Sequence, residues 1–294
     1  MRLDPLRRRL KSPVEANAIK IPERLGAATV EQLEFEPFVP CLDARSTTVD
    51  LRGKTALVTG GSRGIGRNIA VLLGESGAHV YVGYLAQRTA ADETAKLVER
   101  AGGTATTVQA DLAAPHGVER VLEAVGGAGV DVLVNNAGAI IRPAGWADIS
   151  DEDLHRTIEL NLTTPIRLIT RLAPAMRERG WGRVVNLTST YGMAGCAPIL
   201  AYASAKAAII SLTYAMAREL GPSGITVNAV APGNIDTAMT SAAGPEAVEW
   251  AIGTTPTGRL GTPEEVARAA LFLIENEFAN GHVLTMDGGQ LLNM

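Results

Sequence analysis

The sequence predicts a doubly wound α/β fold, a parallel sheet of about seven strands with crossover helices on both faces, preceded by an N-terminal extension. Three observations carry that expectation. From Lys54 onward short β-prone runs alternate with amphipathic helical stretches, the pattern that parallel strands and their crossovers impose. Glycines gather at strand-to-helix junctions instead of forming a low-complexity tract, where tight turns need them. No stretch between Lys54 and Met294 has the composition of a linker, so residues 51–294 are expected to form one domain and residues 1–50 an appendage to it.

Taken in chain order, the extension is rich in proline and glutamate and holds a basic Arg7-Arg8-Arg9 run. Ser12-Pro13-Val14-Glu15 has the form of a capping box with proline at the first helical position, which predicts a short helix ending before Pro22. Acidic residues spread through the segment argue against a transit peptide. Phe35 and Phe38 are costly to leave in water, so Leu33 to Val39 are expected to dock on a folded surface while Met1 to Lys11 stay mobile.

Beyond it, strands are expected at Thr55 to Thr59, Val80 to Tyr84, Ala105 to Ala110, Val130 to Val134, Arg183 to Leu187, Thr226 to Val230 and Val283 to Met286. Most of the first six run within a few residues into glycine, asparagine, serine or proline and then into helix-forming sequence. A short helix around Glu246 to Ile252 lies in a segment, Thr237 to Pro263, that is expected to close over a ligand.

Composition excludes several classes of function. The chain of 294 residues is 46% hydrophobic with a formal charge of -4, enough apolar content for a large core and the wrong sign for a polyanionic partner, so no nucleic acid is expected. Cys41, Cys196 and four scattered histidines supply neither a disulfide framework nor a metal site. No uninterrupted apolar run reaches the roughly 18 residues of a membrane span, and the N-terminus lacks the apolar core of a secretion signal. A cytoplasmic protein without a membrane partner is the expectation.

The chemistry-bearing residues follow from spacing. Tyr202 and Lys206 stand four apart in a helical run and so share a face. A free phenol has a pKa of about 10, and a cation within roughly 4–6 Å lowers such a value; the pair is therefore a candidate proton donor and acceptor. Gly60, Ser62, Arg63, Gly64, Ile65 and Gly66 lie between the first strand and the first helix, where the backbone can approach a pyrophosphate and the helix N-terminus favours an anion. Its Gly-x-x-x-Gly-x-Gly spacing differs from the commoner dinucleotide fingerprint.

Together with Asn135-Asn136-Ala137-Gly138, with Ser189 ahead of Tyr202 and Lys206, and with Pro232-Gly233-Asn234-Ile235-Asp236-Thr237, these motifs make the chain from Lys54 onward resemble the short-chain dehydrogenase/reductase family. In its single-domain form it resembles bacterial 3-oxoacyl-(acyl carrier protein) reductases. The resemblance implies that Tyr202 exchanges the proton, that Lys206 lowers its pKa and holds the nicotinamide ribose, and that Ser189 bonds the substrate oxygen. The local residues leave Thr188, Ser189 and Thr190 open; the family step to Tyr202 selects Ser189. Asn161 matches the asparagine of a water-mediated relay, against a plain role as a helix amide bonding backbone.

The same resemblance assigns Asn136, Ala137 and Gly138 to the ribose, Asp111 and Leu112 to the adenine, and Pro232, Gly233, Ile235 and Thr237 to the nicotinamide. For Asp111 a helix N-cap is the alternative. Tyr84 replaces the acidic residue that NAD-preferring relatives carry, and with Arg63, and Arg88 nearby, it favours NADP(H) over NAD(H). Trp146, Met193, Cys196 and Trp250 are expected either to line the pocket or to pack. The implied protein is a homotetrameric ketoreductase acting on a small carbonyl or alcohol, free or carrier-bound. A catalytically silent nucleotide sensor or scaffold would have lost a catalytic residue, and an epimerase or dehydratase would need a larger C-terminal region.

Overall fold

In the β-prone runs, alternate residues point to opposite faces, so a strand buried on both sides reads as a near-continuous apolar run. The computed structural model, which describes residues 49–126 and 129–294, buries β1 (Thr55–Val58), β4 (Val132–Asn135), β5 (Gly182–Leu187) and β6 (Ile225–Pro232) almost completely, and the buried Asn135, Arg183, Asn186 and Asn228 side chains among them donate hydrogen bonds within the fold. Those four, with β2 (His79–Tyr84), β3 (Thr104–Gln109) and β7 (Val283–Met286), form one parallel sheet in the order β3-β2-β1-β4-β5-β6-β7. All seven expected strands are present, with ends shifted by one or two residues. The helix expected after Ser12, the docking of Phe35 and Phe38, and Cys41 lie outside the described residues.

Ten helical segments connect the described strands: α1 (Gly64–Glu75), α2 (Arg88–Arg100), α3 (Gly117–Val125), α4 (Asp151–Ile158), α5 (Thr164–Arg179), α6 (Tyr191–Ala194), α7 (Leu200–Leu220), α8 (Ala238–Ser241), α9 (Pro245–Thr254) and α10 (Pro263–Glu275). The strand alternation divides the core. Ala56, Val58, Val80 and Val134 pack with Ile69 and Leu73 of α1 and with Val266, Ala270 and Leu273 of α10. Leu57, Leu133, Val184 and Val227 face the other way, onto α3, α5 and α7 through Val121, Leu168, Leu172 and Leu220.

Two local signals set helix positions. Thr262 and Glu265 form a reciprocal capping box at the start of α10, satisfying two donors that the first turn would leave open. Between α4 and α5 the chain widens into a π-helical turn, Glu159–Thr163, with Asn161 fully buried inside it; such turns often re-aim a functional side chain. By length and composition α7 is apolar enough to pass for a membrane-crossing helix. Here it buries Ala201, Ala205, Ile209 and Leu220 in the fold and carries Tyr202 and Lys206.

The strand order reverses between β1, which runs on to β2, and its other neighbour β4. At such a point the connecting helices leave on opposite faces, and a crevice opens beyond the carboxyl ends of the strands.

Candidate active site

At that crevice lies a cavity of about 630 Å³. Its wall includes Gly60, Ser62, Arg63, Gly64 and Ile65 from the turn after β1, Tyr84 from the end of β2, and Asp111 and Leu112 after β3. Asn136, Ala137 and Gly138 after β4, Asn161, Ser189, Tyr202 and Lys206, and Pro232, Gly233, Ile235 and Thr237 after β6 complete it. The fold thus brings the residues expected to act in proton transfer or to touch the dinucleotide to one place, Arg88 excepted.

The glycine turn is built for close approach. Gly60 has φ +63° and Gly64 φ +55°, conformations that side chains with a Cβ rarely adopt. A Cβ on Gly66 would meet the carbonyl oxygen of Gly60, so only glycine lets α1 start so near the turn. Arg63, at the N-cap position with extended backbone, is exposed toward the cavity. Arg88 is not on the cavity wall; it opens α2 and lies 3.6 Å from Asp92.

Sequence reasoning placed Thr59 at the end of the first strand and the head of the glycine motif but gave it no part in organising this wall. Its hydroxyl donates to Val134 O at 3.2 Å and accepts from the N–H groups of Asn136 and Ala137, each at 3.0 Å. The Asn136 amide in turn donates to the carbonyls of Thr59 and Gly60 at 2.8 and 3.1 Å. Two strand ends are stitched together so that backbone faces the cavity. A threonine at the end of a β-prone run gives no local sign of this.

Asp111 does not cap α3, whose N-cap position is His116. It closes its own turn through Ala113 N–H at 3.0 Å and meets Arg156 at 3.3 Å. Arg156 lines the cavity too and was also missed, being far away in the chain.

Tyr202, Ser189 and Lys206 converge at the other end. Thr188 Oγ1 donates to Lys206 O at 2.6 Å and Thr190 Oγ1 points to Pro232 O at 3.4 Å, so both neighbours' hydroxyls are engaged with backbone and Ser189 is left to the cavity. Lys206 is buried, and its ammonium donates to Leu187 O at 2.7 Å while standing 5.6 Å from the centre of the Tyr202 ring.

The expected electrostatics are corrected here. Burial pushes the Tyr202 phenol up to about 12, opposed by the Ser189 hydroxyl and the Arg142 charge, whereas burial draws Lys206 down to about 8. Desolvation disfavours both charged forms and outweighs their mutual attraction at this distance. Tyr202 therefore holds its proton at neutral pH, as a donor to an oxygen.

Asn161 fits both of its readings. Its Nδ2 donates to Thr157 O and Ala139 O, each at 3.0 Å, while its Oδ1 is buried without a partner. A Cβ on Gly138 would lie 2.8 Å from that Oδ1 and 3.5 Å from Lys206 Nζ. Glycine leaves a small polar gap between amide and ammonium. Trp146, Met193, Cys196 and Trp250 are not on the cavity wall; the two tryptophans and Met193 are exposed, Met193 on α6, Trp250 on α9 and Trp146 between β4 and α4.

A doubly wound sheet with a glycine turn at its switch point and a Ser, Tyr and Lys group across from it defines a nicotinamide-dependent oxidoreductase. The model for the family described as enoyl-(acyl carrier protein) reductase matches residues 60–290. The 3-oxoacyl-[acyl-carrier-protein] reductase FabG of Vibrio cholerae is 39% identical over 83% of this chain and 100% of its own. Acetoacetyl-CoA reductase of Rhizobium meliloti is 41% identical over 81% and 98%. The angucycline C-6 ketoreductase LanV, solved with bound NADP, superposes with a TM-score of 0.77 at 34% identity over 83% and 97%. The chain belongs to the short-chain dehydrogenase/reductase family and is an NAD(P)-dependent oxidoreductase interconverting carbonyls and alcohols.

Proposed function

We propose that Tyr202 is the proton donor of an NADPH-dependent ketone reduction, with Ser189, Lys206 and Asn161 as its partners. The observation that carries this is the buried, protonated phenol beside the Ser189 hydroxyl, whose neighbours Thr188 and Thr190 turn theirs to backbone carbonyls. The cavity fits the cofactor: a Cβ on Gly60, Gly66 or Gly138 would intrude on the cradle, and the orphaned Asn161 Oδ1 awaits a partner. NADPH, when bound, supplies the hydride.

The protein supplies position and the proton. Ser189 and Tyr202 donate hydrogen bonds to the carbonyl oxygen, stabilising negative charge as it develops there. Tyr202 then releases its proton to that oxygen, leaving a phenolate whose charge the Lys206 ammonium balances. The gap between Asn161 Oδ1 and Lys206 Nζ accommodates a water that returns a proton toward the lysine. The turn after β1, the Asn136–Gly138 backbone and the Pro232–Thr237 strap hold the dinucleotide. Arg63, exposed at the mouth with Tyr84 in place of a carboxylate, pairs with a 2′-phosphate and favours NADP(H) over NAD(H). A cytoplasmic homotetramer formed by the domain of residues 51–294 completes the reading.

Side-by-side kinetics with NADPH and NADH test it, using acetoacetyl-CoA, ethyl acetoacetate and a six-carbon keto-aldonic acid as oxidants. Consumption of NADPH is expected with at least one of them, and a clear preference for NADH would sink the assignment of Arg63. Light scattering on the eluting protein reads the oligomeric state.

A further inference from the structure

Proton and hydride transfer leave one group of polar residues beside Ser189 without a role. Tyr191 follows Ser189 by two positions, and its N–H donates to the Ser189 hydroxyl oxygen at 3.2 Å. Its phenol, half-buried, reaches Asn234 Oδ1 at 3.5 Å. Near it, Asn234 Nδ2 and both amide atoms of Gln290 are buried with no hydrogen-bond partner. Gln290 is 1% exposed, and its Oε1 abuts Gly233, where an added Cβ would lie 2.7 Å away. Buried polar atoms are nearly always bonded, so a gathering of unbonded ones around a phenol marks a place that a ligand completes.

Arg142 adds a charge to this group. It follows Ile141, which lines the cavity, and it is exposed. Most arginines of the described residues face a carboxylate. Arg142 has no such partner among the described residues, and of the cavity's two carboxylates Asp111 is taken by Arg156. In Tyr191, Cys196 and Tyr202 alike, burial raises the pKa and the Arg142 charge opposes it, so all three share the field of this one guanidinium.

The inventory of this cluster is lopsided. The guanidinium, Asn234 Nδ2 and Gln290 Nε2 are open donors and the Tyr191 hydroxyl is turned to Asn234 Oδ1, against one open amide oxygen, Gln290 Oε1. Such a set suits an oxyanion with further oxygens around it and offers little to an alkyl chain. Arginine presents a fork that matches a carboxylate in two bonds.

We propose that the substrate is a polyoxygenated keto acid, whose carboxylate pairs with Arg142 and whose oxygens near the reacting carbon bond Tyr191, Asn234 and Gln290. This rests on the ketone-reducing reading of Tyr202 and narrows it to anionic, oxygen-rich carbonyl compounds.

The test pairs a six-carbon keto-aldonic acid with its neutral amide, assayed with NADPH, with ethyl acetoacetate as a plain ketone. In the wild type kcat/KM for the acid exceeds that for the amide by about tenfold or more, the gap lying in KM and narrowing with salt. Arg142→Gln brings the two within about twofold of one another, and Arg142→Lys restores part of the difference. NADPH binding followed by fluorescence shows that each variant is folded. Equal kcat/KM for acid and amide in the wild type, or an unchanged ratio in Arg142→Gln, overturns the inference. Reduction of ethyl acetoacetate alone overturns it while the ketoreductase reading stands; no consumption of NADPH with any of the three overturns both.

Discussion

Around Thr59 the polar atoms are spoken for: one hydroxyl serves three backbone groups, and the Asn136 amide bonds two carbonyls. Around Tyr191 the reverse holds, with Asn234 Nδ2 and the Gln290 amide buried and unbonded. The first region is the wall proposed for the nucleotide, made of glycine backbone braced from behind. The second adjoins Ser189 and is made of side chains. A braced backbone wall presents the same surface whether or not a ligand is there, so little reorganisation accompanies binding. A wall of open side chains is completed by its ligand, and its chemistry can change with single residues. Tyr202 and Lys206 sit where the two meet.

The largest expected effect breaks the site at that junction. Tyr202→Phe removes the proton and keeps the ring, so turnover should fall by about 10²-fold or more while the NADPH dissociation constant moves less than about twofold. Retention of a tenth of wild-type turnover would show that another group delivers the proton.

Gly66→Ala attacks the braced wall instead. Its Cβ would meet Gly60 O and the Asn136 amide, and backbone there has nowhere to go. A stability loss of about 1–3 kcal/mol in denaturant titration is expected, together with weaker NADPH binding. An alanine variant as stable as the wild type would mean that the turn yields.

A smaller effect belongs to Arg63→Ala. Loss of one charge-assisted contact should raise the NADPH KM by about tenfold and leave the NADH KM nearly unchanged. Parallel rises for both cofactors would place Arg63 on the shared pyrophosphate.

The last effect is a pH dependence of stability in the cofactor-free protein. Lys206 falls from 10.5 to about 8 on folding, so between those values the unfolded chain binds the extra proton and this group makes stability rise with pH. Tyr202 rises from 10.0 to about 12, so above 10 the folded state keeps a proton that the unfolded chain has lost, and stability falls again. Urea midpoints measured from pH 7 to pH 11 should therefore gain from Lys206 first and lose to Tyr202 later. Lys206→Met should remove the gain; a rise that survives the substitution belongs to other groups.

Much of the fold and site was legible because it is written in local terms. The seven strands follow from runs such as Val80 to Tyr84 and Arg183 to Leu187, and the helices from their period. Positions tied to a turn, such as Gly60 and Gly64, could be read because their backbone angles admit little else. Thr59, Arg156 and Arg142 were not singled out, since each acts on residues distant in sequence or near only through the fold. Arg88 and the tryptophans were assigned to a neighbourhood by order in the chain, and order does not fix distance.

By itself, then, the sequence determined the parallel sheet, the placement of the glycine turn at its first crossover and the pairing of Tyr202 with Lys206 on one helix face. These depend on periodicity, backbone freedom and fixed spacing along a helix. Only the tertiary structure decided the sign of the Tyr202 shift, the engagement of the Thr188 and Thr190 hydroxyls with backbone and the orphaned amides beside Tyr191. Those depend on burial and on which groups from far parts of the chain take up each hydrogen bond. Desolvation and hydrogen-bond completion are properties of the packed molecule: four residues along α7 place a cation near a phenol, but the depth at which the fold holds them sets which of the two keeps its charge.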